Sequence, residues 1–192
     1  MLLRSVVVDH LQNHFNGQNV AVLCIYCNYK KQDEQTVSEL VASLLKQLVQ
    51  DRSVTSDQVK TLYKVYHDAR KSIPGLADLM TVLQSEIRHY SKVYIVVDAL
   101  DECRERDQRD LITTLQSLAG NINMMVTSRI LPSIQQLFQD AKRLDIRANN
   151  DDVRRYIEGR IPHENRLARH VGKDRSLQET IVNKIVANVK GM

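Results

Sequence analysis

Five consecutive apolar residues, Val93-Tyr-Ile-Val-Val97, give way at once to Asp98, and Asp101 and Glu102 follow directly after. A run of that length is rich in β-branched side chains and lacks polar alternation. It suits a strand covered on both faces within a parallel sheet. In open α/β sheets, ligands bind beyond the carboxyl ends of the strands. Acids at that edge fit a hydrated Mg²⁺, which takes one or two carboxylates, several waters and the oxygens of a bound phosphate. An ordinary acidic turn after a buried strand is the plain alternative. The coincidence of strand context with the acids favours the metal–phosphate reading.

The rest of the chain alternates strand and helix around this run. Leu3, Val6, Val7, Leu11 and Phe15 recur at helical spacing over residues 2–15, and Asn16-Gly17 stops that helix. Val20 to Tyr26 reads as a strand. Thr36-Val-Ser-Glu39 is a capping box opening a helix with Val37, Leu40, Val41, Leu44, Leu45, Leu48 and Val49 on one face. Further helices are expected around Val59–Tyr66, Leu76–Tyr90 and Leu111–Leu118. A second buried strand is expected at Ile122–Thr127, then a short helix before Ala141 and a weak strand at Arg143–Ile146. Beyond Asn149 only helices are expected: one around Val153–Ile157, stopped by Pro162, and one opened by a second capping box, Ser176-Leu-Gln-Glu179. The pattern predicts an α/β fold over residues 1–147, a parallel sheet flanked by helices, and a C-terminal helical subdomain over 148–192.

Several function classes are disfavoured. The net charge of +4 is spread along the chain, without the basic stripe and interleaved aromatics of a nucleic-acid surface. No apolar stretch approaches the length of a membrane span, and the N-terminal residues do not read as a signal peptide, so a cytoplasmic setting is the default expectation. Cys24 and Cys27 spell Cys-x-x-Cys, but on a strand they point to opposite faces about 10 Å apart, too far for a disulfide. They are expected as reduced thiols. His10 and His14 stand four apart on a helix but lack a third ligand, so exposed or partly packed histidines are expected there.

Val-Tyr-Ile-Val-Val-Asp-Ala-Leu-Asp-Glu resembles the Walker B element of NACHT domains, which are STAND-class P-loop NTPases. The likeness is greatest to the fungal nephrocystin-3-like N-terminal group. It extends through Leu2-Leu-Arg-Ser-Val-Val-Val-Asp-His-Leu11, Ile25-Tyr-Cys-Asn-Tyr29, Leu40–Leu48 and Val126-Thr-Ser-Arg129, reaching Lys190-Gly-Met. The resemblance implies a P-loop NTPase-like sheet in which Asp98 holds Mg²⁺ through water. It implies that Asp101 and Glu102 polarise the attacking water, since Ala99 occupies the position where many related ATPases carry Glu. Arg129 is similar to the sensor that contacts the terminal phosphate. Arg104, Arg106 and Arg109 are expected as a solvated helix face.

The phosphate-cradling Gly-x-x-x-x-Gly-Lys-Ser/Thr does not occur; Gly172-Lys173 is followed by Asp174. In the resembled family that loop precedes a helix similar to Leu2–Leu11, so the chain is expected to start just after it, without the first strand. The implied function is a fragment of a nucleotide-dependent signalling switch. The intact domain would take Mg²⁺ with ATP or GTP, and would meet protein partners by oligomerisation or through attached effector or repeat domains. This chain alone is expected to bind no nucleotide, to be inactive as an NTPase, and to be aggregation-prone or molten. The alternative is a non-catalytic interaction scaffold or the remnant of a truncated gene.

Overall fold

The computed structural model describes residues 2–52, 55–68, 74–146 and 149–189; Lys190-Gly-Met and the expected boundary between residues 147 and 148 lie outside them. The chain divides into two compact units at Gln139/Asp140.

In the first unit, strands β1 (Val20–Tyr26), β2 (Lys92–Asp98) and β3 (Ile122–Val126) form a parallel sheet in the order β1-β2-β3. Ala21, Leu23 and Ile25 lie opposite Val93, Ile95 and Val97, and Ile122 and Val126 flank Val93 and Val97 from the other side. These residues point to one face, where they join the main core with helices α2 (Val37–Asp51), α4 (Leu76–Ile87) and α5 (Glu105–Gln116). On the opposite face α1 (Leu2–His14) lies against β1 and β2, and Phe15 just beyond it stacks on Tyr94 with ring centroids 5.3 Å apart. Being central and covered on both sides, β2 buries Ile95, Val96 and Val97 completely. This is the environment its uninterrupted apolar run requires.

Helix α2 supplies the thickest cover. Thr36 Oγ1 accepts the Glu39 N–H at 3.3 Å while Glu39 Oε2 accepts the Thr36 N–H at 2.9 Å, so the reciprocal cap forms. Its stripe buries Leu40, Val41, Leu44, Leu45 and Leu48. Each such side chain contributes about 1.5–3 kcal/mol of burial free energy. The same helix seals the outer edge of β1: Gln47 Oε1 accepts the Cys24 N–H and Gln47 Nε2 donates to Cys24 O, both at 2.8 Å. One step along, Gln35 Nε2 donates to Tyr26 O at 2.6 Å and Gln35 Oε1 accepts the Asn28 N–H at 2.8 Å. Two side-chain amides thus obstruct this edge at Cys24 and Tyr26, where a neighbouring strand would pair. The other edge is different. Thr127 N–H donates to Val97 O and Val93 N–H to Asn121 O, which turns the backbone groups of Met124 and Val126 away from β2. Among the described residues these groups have no partner.

Helix α3 (Asp57–Asp68) is tied to α4 by Glu86, a carboxylate 1% exposed that accepts from Arg52 Nη1 at 3.0 Å and from Ser56 Oγ at 2.5 Å. Helix α6 (Pro132–Leu137) closes the unit.

The second unit holds α7 (Asn150–Arg160), α8 (Asn165–Lys173) and α9 (Arg175–Val189) around Ile157, Ile161, Val171 and Val182. Among the described residues no helix is long and apolar enough to cross a membrane.

Several expectations are corrected. Arg143–Ile146 is not a strand; Leu144 is 81% and Ile146 59% exposed, because no described strand lies beside them to complete a ladder. On α1 Val6 is exposed and Val8 buried, while Val7, Leu11 and, just beyond the helix, Phe15 are half-buried as expected; the Leu3 side chain lies outside what is described. Ser176 does not cap its helix: α9 begins one residue before it, and the Asp174 carboxylate accepts from Ser176 N–H at 2.9 Å and Ser176 Oγ at 2.7 Å. Helix α8, signalled only by Leu167 and Val171 four apart, is missed by the sequence reading. His10 and His14 are exposed, as expected, and their rings stack with centroids 5.8 Å apart.

Candidate functional site

Asp98, Asp101, Glu102 and Arg129 all gather beyond the carboxyl ends of β2 and β3. Asp98 is the last residue of β2, half-buried, and its Oδ1 accepts the Thr127 hydroxyl at 2.7 Å. The same hydroxyl oxygen accepts the Ala99 N–H at 2.9 Å. The turn after β2 is sharp. Ala99 adopts the left-handed region at φ 56°, and Leu100–Glu102 form a single 3₁₀ turn with Leu100 fully buried and its N–H bonded to Thr127 O at 2.9 Å. A side chain in that backbone region costs about 1–2 kcal/mol. Thr127 holds the turn in place from the neighbouring strand.

The turn aims its two acids differently. Asp101, whose side chain is 5% exposed, is spanned by Arg129: the Arg129 N–H donates to Oδ1 at 3.0 Å and Nε to Oδ2 at 2.6 Å. The guanidinium itself is 79% exposed. Its hydrogen bond and charge attraction to Asp101 raise the Arg129 pKa above its ordinary value. Glu102 faces the end of β1, where Oε2 accepts the Tyr29 N–H at 3.2 Å and its carbonyl accepts Gln32 Nε2 at 2.8 Å. Oε1 of Glu102 and Oδ2 of Asp98 have no hydrogen-bond partner among the described residues. One open carboxylate oxygen at the end of a central strand suits Mg²⁺, which fills its remaining positions with waters and phosphates. Among the described residues no three His, Cys, Asp or Glu side chains converge on one metal position.

The sequence reading misses two kinds of participant. Thr127 and Tyr29 lie within segments that carry the family resemblance, but nothing in the sequence assigns them these contacts, and Gln32 carries no signal, since it acts through a turn. Arg104 is not part of the solvated face: it stands at the N-terminus of α5 and its partly buried side chain pairs with Asp33. Arg106 and Arg109 are exposed as expected.

The sequence profile of the nephrocystin 3 N-terminal family matches residues 1–129, which contain the sheet, the acidic turn and Arg129. The chain belongs to this family. The residues matched to the nephrocystin 3 N-terminal family include Arg129, which spans Asp101. No curated protein matches the chain. Among solved structures, a Walker-type ATPase of Pyrococcus abyssi is similar, with TM-score 0.41 and 11% identity over 88% of this chain. The chain spans 62% of that ATPase.

Proposed function

We propose that this chain is the body of a P-loop-type nucleotide switch of the NACHT class, in which Asp98 carries the water-bound Mg²⁺ of ATP or GTP. The observation that carries the reading is the Asp98–Thr127 clamp at the carboxyl end of the central parallel strand. It fixes one carboxylate oxygen and leaves the other open. Mg²⁺ would supply charge neutralisation between the outer phosphates. In this reading Asp101 orients Arg129, so that the exposed guanidinium can meet charge on the terminal phosphate, and Glu102, with one oxygen uncommitted, polarises water. The 192 residues contain no Gly-x-x-x-x-Gly-Lys-Ser/Thr, and the phosphate cradle must come from elsewhere. Oligomerisation and attached effector or repeat domains in the cytoplasm complete the proposal.

A specific observation favours a second reading, a non-catalytic scaffold: Asp101 and Arg129 satisfy each other without a ligand. One experiment separates the two. Mg-ATP and Mg-GTP are titrated by calorimetry into the chain alone and into the chain preceded by a strand and phosphate loop. The switch requires no binding to the first and micromolar binding to the second, abolished by Asp98→Ala. Arg129→Ala and Glu102→Gln should slow hydrolysis at least tenfold while leaving affinity within about threefold, because their contacts strengthen in the transition state. Failure of the extended chain to bind, or indifference to Asp98→Ala, establishes the scaffold.

A further inference from the structure

Sorted by unit, the net charge of +4 is not spread. Residues 1–139 hold 15 Lys/Arg against 15 Asp/Glu and residues 140–192 hold 12 against 8, so the whole excess belongs to the second unit. Helix α8, Asn-Arg-Leu-Ala-Arg-His-Val-Gly-Lys, carries bases and no acid. Arg166, Arg169, His170 and Lys173 stand at i, i+3, i+4 and i+7, the spacing of one helix face, and all four are exposed. Leu167 and Val171 lie four apart on another side of the helix and pack into the core of the second unit.

The stripe is not neutralised by its own chain. None of the four side chains has a hydrogen bond or ion pair with a described residue. The acids that flank the helix are engaged elsewhere. Glu164 Oε1 lies 3.1 Å from Arg160 Nη2, and the Asp174 carboxylate accepts from the Ser176 N–H and hydroxyl.

We propose that this face of α8 binds the phosphate backbone of a double-stranded nucleic acid without reading its sequence.

Length and charge match. Arg166 to Lys173 spans about 10 Å along the helix at about 1.5 Å per residue. Each strand of a duplex offers a phosphate per about 3.4 Å of axis, so about three phosphates face the three cations Arg166, Arg169 and Lys173. Two of these cations are guanidinium forks, which suit phosphate oxygens. A lipid surface fits less well. A helix lying on a bilayer immerses an apolar face, and the apolar side chains of α8 are already committed to the core. A single strand also fits less well, because α8 has no Phe, Tyr or Trp on which bases stack. The stripe belongs to the second unit and the acidic turn to the first, so this inference stands whether or not the chain binds nucleotide.

The test is fluorescence anisotropy of labelled 20-base-pair DNA duplexes of two unrelated sequences, titrated with the whole chain at rising salt. Equal affinity for both sequences is expected, with log K falling against log salt at a slope of about −3, from about 0.9 per phosphate contacted. Affinity then drops about 40-fold between about 50 and 200 mM salt. Changing Arg166, Arg169 and Lys173 together to Gln should weaken binding at low salt at least tenfold and flatten the slope. Arg166→Lys with Arg169→Lys keeps the charge and should keep the slope. Removing the same charge from the first unit, with Lys64→Gln, Arg106→Gln and Arg109→Gln, should leave affinity within about twofold. Absence of duplex binding at low salt, or a first-unit variant as weak as the stripe variant, overturns the proposal. So does stripe-dependent binding to phosphatidylserine vesicles that exceeds binding to the duplex.

Discussion

The hydroxyl of Thr127 is the residue on which the acidic edge turns, since it donates to Asp98 and accepts from Ala99. Thr127→Val keeps shape and removes both bonds, leaving a half-buried carboxylate and a backbone N–H unpaired. Loss of about 1–3 kcal/mol of stability in a urea melt is expected. Thr127→Ser should retain most of it, and equal losses for the two variants would exclude the hydroxyl as the cause. Ala99 makes a second, opposite prediction. Relief of its left-handed backbone by Ala99→Gly offsets the extra entropy of the unfolded glycine, so stability should stay within about 1 kcal/mol. Ala99→Val should lose clearly more, and a Gly variant as unstable as the Val variant would refute the strain. These residues also show how far a sequence can speak. Asp98, Asp101 and Glu102 are legible because a buried strand ends in them, and Arg129 because it ends the next strand. Thr127 becomes informative only once β2 and β3 are neighbours in a known register.

Elements were legible where local pattern and tertiary need agree. The stripe on α2 and the apolar run of β2 are long, and burial confirms what periodicity suggests. Arg143–Ile146 alternates like a strand, yet alternation supplies no partner, and it remains extended chain without a ladder. Near α9, Asp174 and Ser176 are both good capping residues, and local geometry selects the earlier one. The junction of α2, α3 and α4 is invisible in the pattern because it is polar: Glu86 interrupts an apolar helix face and is matched by Arg52 and Ser56. Arg52→Ala leaves that carboxylate buried without its cation. A cost of about 1–3 kcal/mol is expected, the lower range of a broken buried pair because Arg52 is partly exposed. Adding Glu86→Met should recover part of the loss, since an apolar pair of similar volume needs no partner. A double variant less stable than Arg52→Ala would mean that the carboxylate is needed for more than neutralising Arg52.

At the scale of the first unit, the sheet is obstructed on one side, at Cys24 and Tyr26, and open on the other. Backbone groups of Met124 and Val126 at the outer edge of β3 have no partner among the described residues, and unpaired strand edges recruit other chains. The chain alone should therefore self-associate and unfold without coincident transitions when two probes follow a denaturant melt. A version supplied with a strand for β3 should be monomeric and cooperative. A sharp, coincident, concentration-independent melt of the chain alone would show that the edge is harmless. The amides of Gln47 and Gln35 set the valence of whatever association occurs. A building block with one open side and one obstructed side pairs more readily than it polymerises, because the first union consumes the open edge. Edge-to-edge contact through β3 should thus stop at two copies, seen as a dimer ceiling in sedimentation. Gln47→Ala, by unplugging the far side, should turn a terminating unit into a propagating one, and the dimer should give way to a ladder of larger species.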